Sequence, residues 1–148
     1  LFGKFSDGFQ SLKPFVWDTP GGPLLEIPVT TVPVFRTPFH LSYLLWLSRY
    51  SRLAAKAYLE MALRVCRLFG VGPSFLLHAL DLLGKEDAPQ LHFFPGIDLP
   101  RRYKVDFACD VLRLLKRHFD VVPMSIHARR AIACKAGALA TLRRRPAE

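Results

Sequence analysis

No two histidines in this 148-residue chain stand closer than nine positions apart, and no two aspartates are adjacent. The paired histidines and paired carboxylates that hold a catalytic divalent ion at close spacing are therefore missing. Cysteine is scarce: Cys66, Cys109 and Cys134 are far apart, odd in number and form no C-x-x-C pair. That argues against a disulfide framework, and the three are expected as reduced, buried thiols, two of them on apolar helix faces. No apolar run is long enough to span a bilayer, since residues 41–47 are soon followed by Arg49 and Arg52. Tyr43 and Trp46 suit a shallow membrane contact, but packing against a sheet is the commoner use of such a stretch. Acidic residues are few, 12 against 21 Lys plus Arg, which leaves a formal net charge of +9. Nucleic acid or an anionic membrane surface is the default partner for that balance. The basic residues are nevertheless spread over helix faces, with a dense cluster only from Arg129 through Arg143-Arg144-Arg145, so no nucleic acid is expected.

What is present begins with one stretch, Gly72-Pro73-Ser74-Phe75-Leu76-Leu77-His78-Ala79-Leu80-Asp81-Leu82-Leu83-Gly84. It is short, apolar and bracketed by breakers, which predicts a buried strand rather than a helix. An imidazole and a carboxylate set into such a run must be compensated or used, because burying them unpaired is expensive. The carboxyl ends of parallel strands are where α/β proteins build active sites. His78 is therefore the first candidate for chemistry, with Asp81 as its partner if the chain bends, since residues three apart in a regular strand face opposite ways.

Around that stretch the chain divides into an irregular connecting segment (residues 1–23), a body (24–134) and a basic tail (135–148). Asp7 lies in a turn-like, Gly-rich segment and is not expected to hold a metal. Leu24-Leu25-Glu26-Ile27-Pro28-Val29-Thr30-Thr31 reads as a strand, with Pro28 placing it at an edge, a bulge or a strand end. A helix is expected from about Leu41, and a second one capped by Ser51 with Leu53, Ala57, Met61, Val65 and Leu68 on its apolar face. A long loop from Gly84 to about Arg101 carries Phe93 and Phe94, fit for the rim of a site. A helix follows over residues 103–118, with Val105, Ala108, Leu112, Leu115 and Phe119 inward. A short strand at 119–123 and a helix from Ile126, capped by Ser125, complete the chain. The order strand, helix, strand, helix, strand, helix predicts βα units of a parallel sheet or of an incomplete barrel. The chain starts at Leu1 and holds too few strands to close a barrel, so it reads as a piece of a longer protein.

Three landmarks in sequence order resemble the C-terminal part of a polysaccharide deacetylase of the NodB homology type, carbohydrate esterase family four. They are Leu25-Glu26-Ile27-Pro28-Val29-Thr30, then Leu76-Leu77-His78-Ala79-Leu80-Asp81, then Phe119-Asp120-Val121-Val122-Pro123-Met124 leading to His127. The resemblance implies a deformed (β/α) barrel and removal of an acetyl group from a sugar. It implies a divalent ion, usually zinc, that polarises the acetyl carbonyl and its water, and a late-strand histidine that protonates the leaving amine. That last role falls on His78, with Asp81 to orient it, and Glu26, Thr30, Phe93 and Phe94 would line the sugar cleft. The family's aspartate pair and its two histidines four residues apart have no counterpart here, so the chain by itself is expected to bind no metal and to be inactive. Its partners would be a carbohydrate substrate and the missing N-terminal half of the same protein. The competing reading is a non-catalytic basic α/β domain that binds an anionic partner, with His78 a satisfied core histidine.

Overall fold

The structure, a computed structural model, describes residues 11–87, 89–91 and 96–143, with side chains described as far as residue 134. Phe93 and Phe94 lie outside the described residues, as do His92 and Asp7. Among the described residues the chain is mixed α and β: two short strands, β1 (Phe15–Thr19) and β2 (Gly22–Glu26), and four α-helices. The helices are α1 (Leu41–Ser48), α2 (Arg52–Leu68), α3 (Arg101–His118) and α4 (Met124–Arg143).

The strands pair antiparallel, with Phe15 opposite Glu26 and Trp17 opposite Leu24. Pro20 and Gly21 make the two-residue turn, and Gly22 sits at φ +105°, a conformation that costs a residue without Cβ little. Within the segment expected to be irregular, residues 15–21 thus supply one strand and the turn. The aromatic and β-branched run before Pro20 was the available signal for them.

The expected strand over 24–31 stops at Glu26, because Pro28 has no N–H to continue a ladder. Residues 27–30 continue without regular structure, and Thr30 meets Ser74 twice: its N–H donates to the Ser74 carbonyl (3.1 Å) and its Oγ1 accepts from the Ser74 N–H (2.8 Å). The expected strand over 72–84 is likewise no paired strand. It has no regular structure as far as His78 and then coils into a 3-10 turn, Ala79–Leu82. Residues 119–123 also carry no strand pairing. The described residues therefore contain no parallel sheet; their sheet is the antiparallel pair β1-β2.

The core is helical. Leu41, Leu44 and Leu45 of α1 pack against Ala55, Leu59 and Leu63 of α2 and against Phe107, Val111 and Leu115 of α3. Ser51 caps α2 as expected, its Oγ accepting from the Ala54 N–H (3.1 Å). Gly70, at φ +60°, ends the helix. The inward faces differ from expectation. On α2 the buried stripe is Ala55, Leu59, Ala62, Leu63 and Cys66, while Leu53, Met61 and Leu68 are exposed. On α3, Val105 and Leu112 are exposed and Lys104, Phe107 and Val111 are buried. The α2 row starts outside the core, Leu53 being exposed in the first turn, and lies on nearly the opposite side of the helix from the buried stripe, while the α3 row is offset from its stripe by about a quarter turn. Only Cys66 of the three thiols is buried, and burial pushes it up to about 11. Cys109 and Cys134 are exposed, which corrects the expectation that all three lie inside.

Asp110 of α3 clamps the second and third helices together. It accepts from Arg52 (2.8 Å) and Lys56 (3.3 Å) of α2 and from Arg113 (3.0 Å), and the Arg52 hydrogen bond above all holds its carboxyl below the usual range. No helix among the described residues is long and apolar enough to cross a membrane.

Candidate functional site

His78 closes the irregular segment that starts at Gly72, and the 3-10 turn after it brings Asp81 back beneath it. The Asp81 N–H donates to the His78 carbonyl (3.0 Å), and the Asp81 Oδ2 accepts from the His78 N–H (2.9 Å). The same Oδ2 lies 3.5 Å from the His78 Nδ1. Asp81 is 1% exposed, whereas the His78 side chain is 47% exposed. Buried carboxylate and open imidazole form one unit, which the bend required by their spacing makes possible.

Two elements distant in sequence complete the surroundings. Ser42, in the first turn of α1, places its Oγ 2.9 Å from the same Nδ1. His40, immediately before α1, stands edge-on to the His78 ring at 6.1 Å. Burial, and then the charge of His78, hold His40 below its ordinary value, with the charge of Asp81 opposing. Its Nδ1 is buried with no hydrogen-bond partner among the described residues.

Behind the turn lies Lys104 of α3, 1% exposed. Its Nζ donates to the Leu80 carbonyl (2.9 Å) and to the Leu83 carbonyl (2.6 Å), pinning both ends of the turn that carries Asp81. Burial pushes its ammonium below the ordinary lysine value, and the negative charge of Asp81 opposes that shift. Lys104 has no signal in the sequence beyond being a cation one turn before the inward Phe107 and Ala108.

Chemically, the Nδ1 side of His78 is occupied by Ser42 and Asp81, and Nε2 is left as the nitrogen open to a ligand. A Ser-His-Asp relay needs serine and aspartate on opposite ring nitrogens. Here both approach Nδ1, so Ser42 orients the ring and is not set up as a nucleophile. The cluster does not fit a divalent ion either: among the described residues no group of three or more His, Cys, Asp and Glu side chains is placed to hold one.

The other expected site residues lie apart from this cluster. Glu26 is exposed on β2 and accepts a hydrogen bond from the Trp17 indole N–H. Thr30 is buried, with its hydroxyl engaged by the Ser74 N–H. Nothing can be placed at Phe93 and Phe94, outside the described residues. A cavity of about 550 Å³ opens elsewhere, between Gly72, Pro73, Phe119, Val122 and the first turns of α4, where His127 faces it. It contains none of the residues around His78, and its Arg130 is paired with Asp120 (2.9 Å). Volume alone does not outweigh the convergence of ionisable groups at His78.

Comparison with protein families, with curated proteins and with solved structures finds no match.

Proposed function

We propose that this chain supplies the proton-donating histidine of a carbohydrate deacetylase, with His78 as general acid and Asp81 and Ser42 as the groups that position it. The observation supporting this reading is the one-sided engagement of the imidazole: Nδ1 meets Ser42 at 2.9 Å and Asp81 at 3.5 Å, with the side chain about half exposed. In amide hydrolysis the tetrahedral intermediate expels an amine, which leaves only as it gains a proton. An imidazolium held through Nδ1 gives that proton from Nε2, and the C–N bond breaks as the N–H bond forms. Imidazole suits the task because its unperturbed pKa lies near neutral.

The divalent ion that the resemblance implies would polarise the acetyl carbonyl, but the described residues do not fit it. Its ligands belong, on this reading, to protein beyond these residues. The competing reading, a basic domain for an anionic partner, rests on the +9 charge. It draws less support from the surface, where Arg49, Arg52, Arg64, Arg101 and Arg113 are each paired with a carboxylate.

The test is acetate release from N-acetylglucosamine oligomers by the full-length protein, with and without zinc, beside its His78→Ala variant. The expected result is metal-dependent release that falls at least about 100-fold in a variant that remains folded, the usual scale for a positioned acid. Equal activity in parent and variant would remove His78 from the mechanism. No release by the parent would sink the deacetylase reading.

A further inference from the structure

The cavity of about 550 Å³ lies apart from His78, where three connections meet. Residues 70–73 lead out of α2, residues 119–122 join α3 to α4, and Lys13 and Pro14 lead into β1. Two glycines help to keep the space open. Gly70, at φ +60°, ends α2, and a Cβ built on Gly72 would meet no atom within 4 Å. Pro14, Pro73, Phe119, Val122 and Ala131 make the walls mostly apolar. The volume falls within the roughly 300–1,000 Å³ of sites that take small organic ligands.

The polar groups in this lining are not balanced. Arg130 and Asp120 pair with each other at 2.9 Å, so together they bring no net charge. Lys13 bonds to the Ser11 hydroxyl through its backbone carbonyl (3.0 Å) and N–H (3.1 Å), while its ammonium has no carboxylate partner among the described residues. That Nζ stands at the wall, since a Cβ on Gly70 would lie 3.6 Å from it. His127, in the first turn of α4, shares a helix face with Ala131, and its ring has no hydrogen-bond partner among the described residues either.

Two unused donors beside an apolar cavity select the ligand. An ammonium offers a carboxylate charge-assisted hydrogen bonds, and an imidazole N–H offers one more. A dianion such as a phosphate monoester carries a second charge to be answered. Arg130, the other cation of the described lining, is already answered by Asp120, whose carboxylate repels that charge. A neutral molecule leaves the ammonium unanswered.

We propose that this cavity binds an amphipathic monocarboxylate, one carboxylate on a small apolar body, with Lys13 answering its charge and His127 donating to it from the α4 wall. The site is separate from His78 and independent of the deacetylase reading.

The probes are octanoate, its neutral counterpart octanamide, and octyl phosphate as the dianion, each kept below the concentration at which it self-associates. Binding to the full-length protein is read from the imidazole NMR signal of His127, assigned by its loss in His127→Phe, with the His78 signal as control. Octanoate is expected to move the His127 signal saturably and to leave His78 still. It should bind about tenfold more tightly than octanamide, the scale of one hydrogen bond to a charged group. Lys13→Met keeps the apolar wall and should bring acid and amide within about twofold of each other. Gly72→Leu keeps the charge and fills the space, and should weaken both about tenfold. Circular dichroism checks that each variant is folded.

If octanamide binds as tightly as octanoate, the cavity is merely apolar and the proposal is overturned. Tighter binding of octyl phosphate than of octanoate overturns it too, as does an acid preference that survives Lys13→Met. If octanoate moves no signal, or moves His78 and not His127, the cavity is not its site.

Discussion

Asp81 and His78 are joined twice: the carboxylate accepts the His78 backbone N–H at 2.9 Å, and the same oxygen stands 3.5 Å from the His78 Nδ1. One buried oxygen thus closes the turn and orients the ring. Asp81→Ala is expected to lower stability by about 1–3 kcal/mol, the cost of leaving a partly buried N–H without its acceptor. It should also free the His78 ring. Urea unfolding measures the first effect and imidazole NMR line shapes the second. An unchanged ring signal would show that Ser42 alone holds the imidazole.

Lys104 acts on the same turn from behind. Lys104→Met keeps most of the side-chain volume and removes both donations to Leu80 and Leu83, so a loss of about 2–4 kcal/mol is expected. The pH dependence runs in a definite direction. Burial lowers the folded value of Lys104, so the unfolded chain binds more protons between the two values and stability from this group rises with pH there. The variant should lack that rise, which parallel unfolding curves from pH 7 to 10 would resolve.

His40 gives a second pH signature. Its folded value is depressed below the ordinary 6.5 by burial first and His78 second. The unfolded chain therefore takes up the proton first, and stability falls as pH drops from the ordinary value toward the folded one. His40→Gln should flatten this part of the stability profile relative to the parent. A profile unchanged between pH 7 and 5 would mean that His40 does not titrate differently in the two states.

Gly84 sits where the turn meets α3. A Cβ there would lie 2.4 Å from the backbone N of Arg101 and 2.3 Å from the Glu86 side chain. Glu86 cannot simply move away, because its Oε1 accepts the Arg101 N–H at 2.7 Å, near the start of α3. Gly84→Ala is expected to cost about 1–3 kcal/mol, the range for forced overpacking. Thermal unfolding checks it, and a neutral result would mean that the 84–101 junction yields easily.

Much of this was legible in the chain because it is local. Ser51 before a four-residue repeat, Gly70 after it, and the alternation around Leu115 specify helices through bonds that each segment makes with itself. The face that each helix buries was less legible. Lys104 reads as a surface residue until two carbonyls from a turn some twenty residues earlier meet its ammonium.

Strands and site membership depended on what lay alongside. A β-branched run becomes a strand only when a partner supplies the ladder. Residues 72–78 found helix α1, through the Leu41 N–H to the Leu76 carbonyl (3.2 Å), and the Thr30 backbone instead. The sequence by itself determined the helices, the breakers and the single imidazole–carboxylate run, because those follow from propensity and spacing within a few residues. Only the tertiary structure decided that His78 faces solvent, that Asp81 does not, and that Ser42, 36 residues earlier, holds the ring. Those are relations between segments, and chain folding brings them together without any mark in the order of residues.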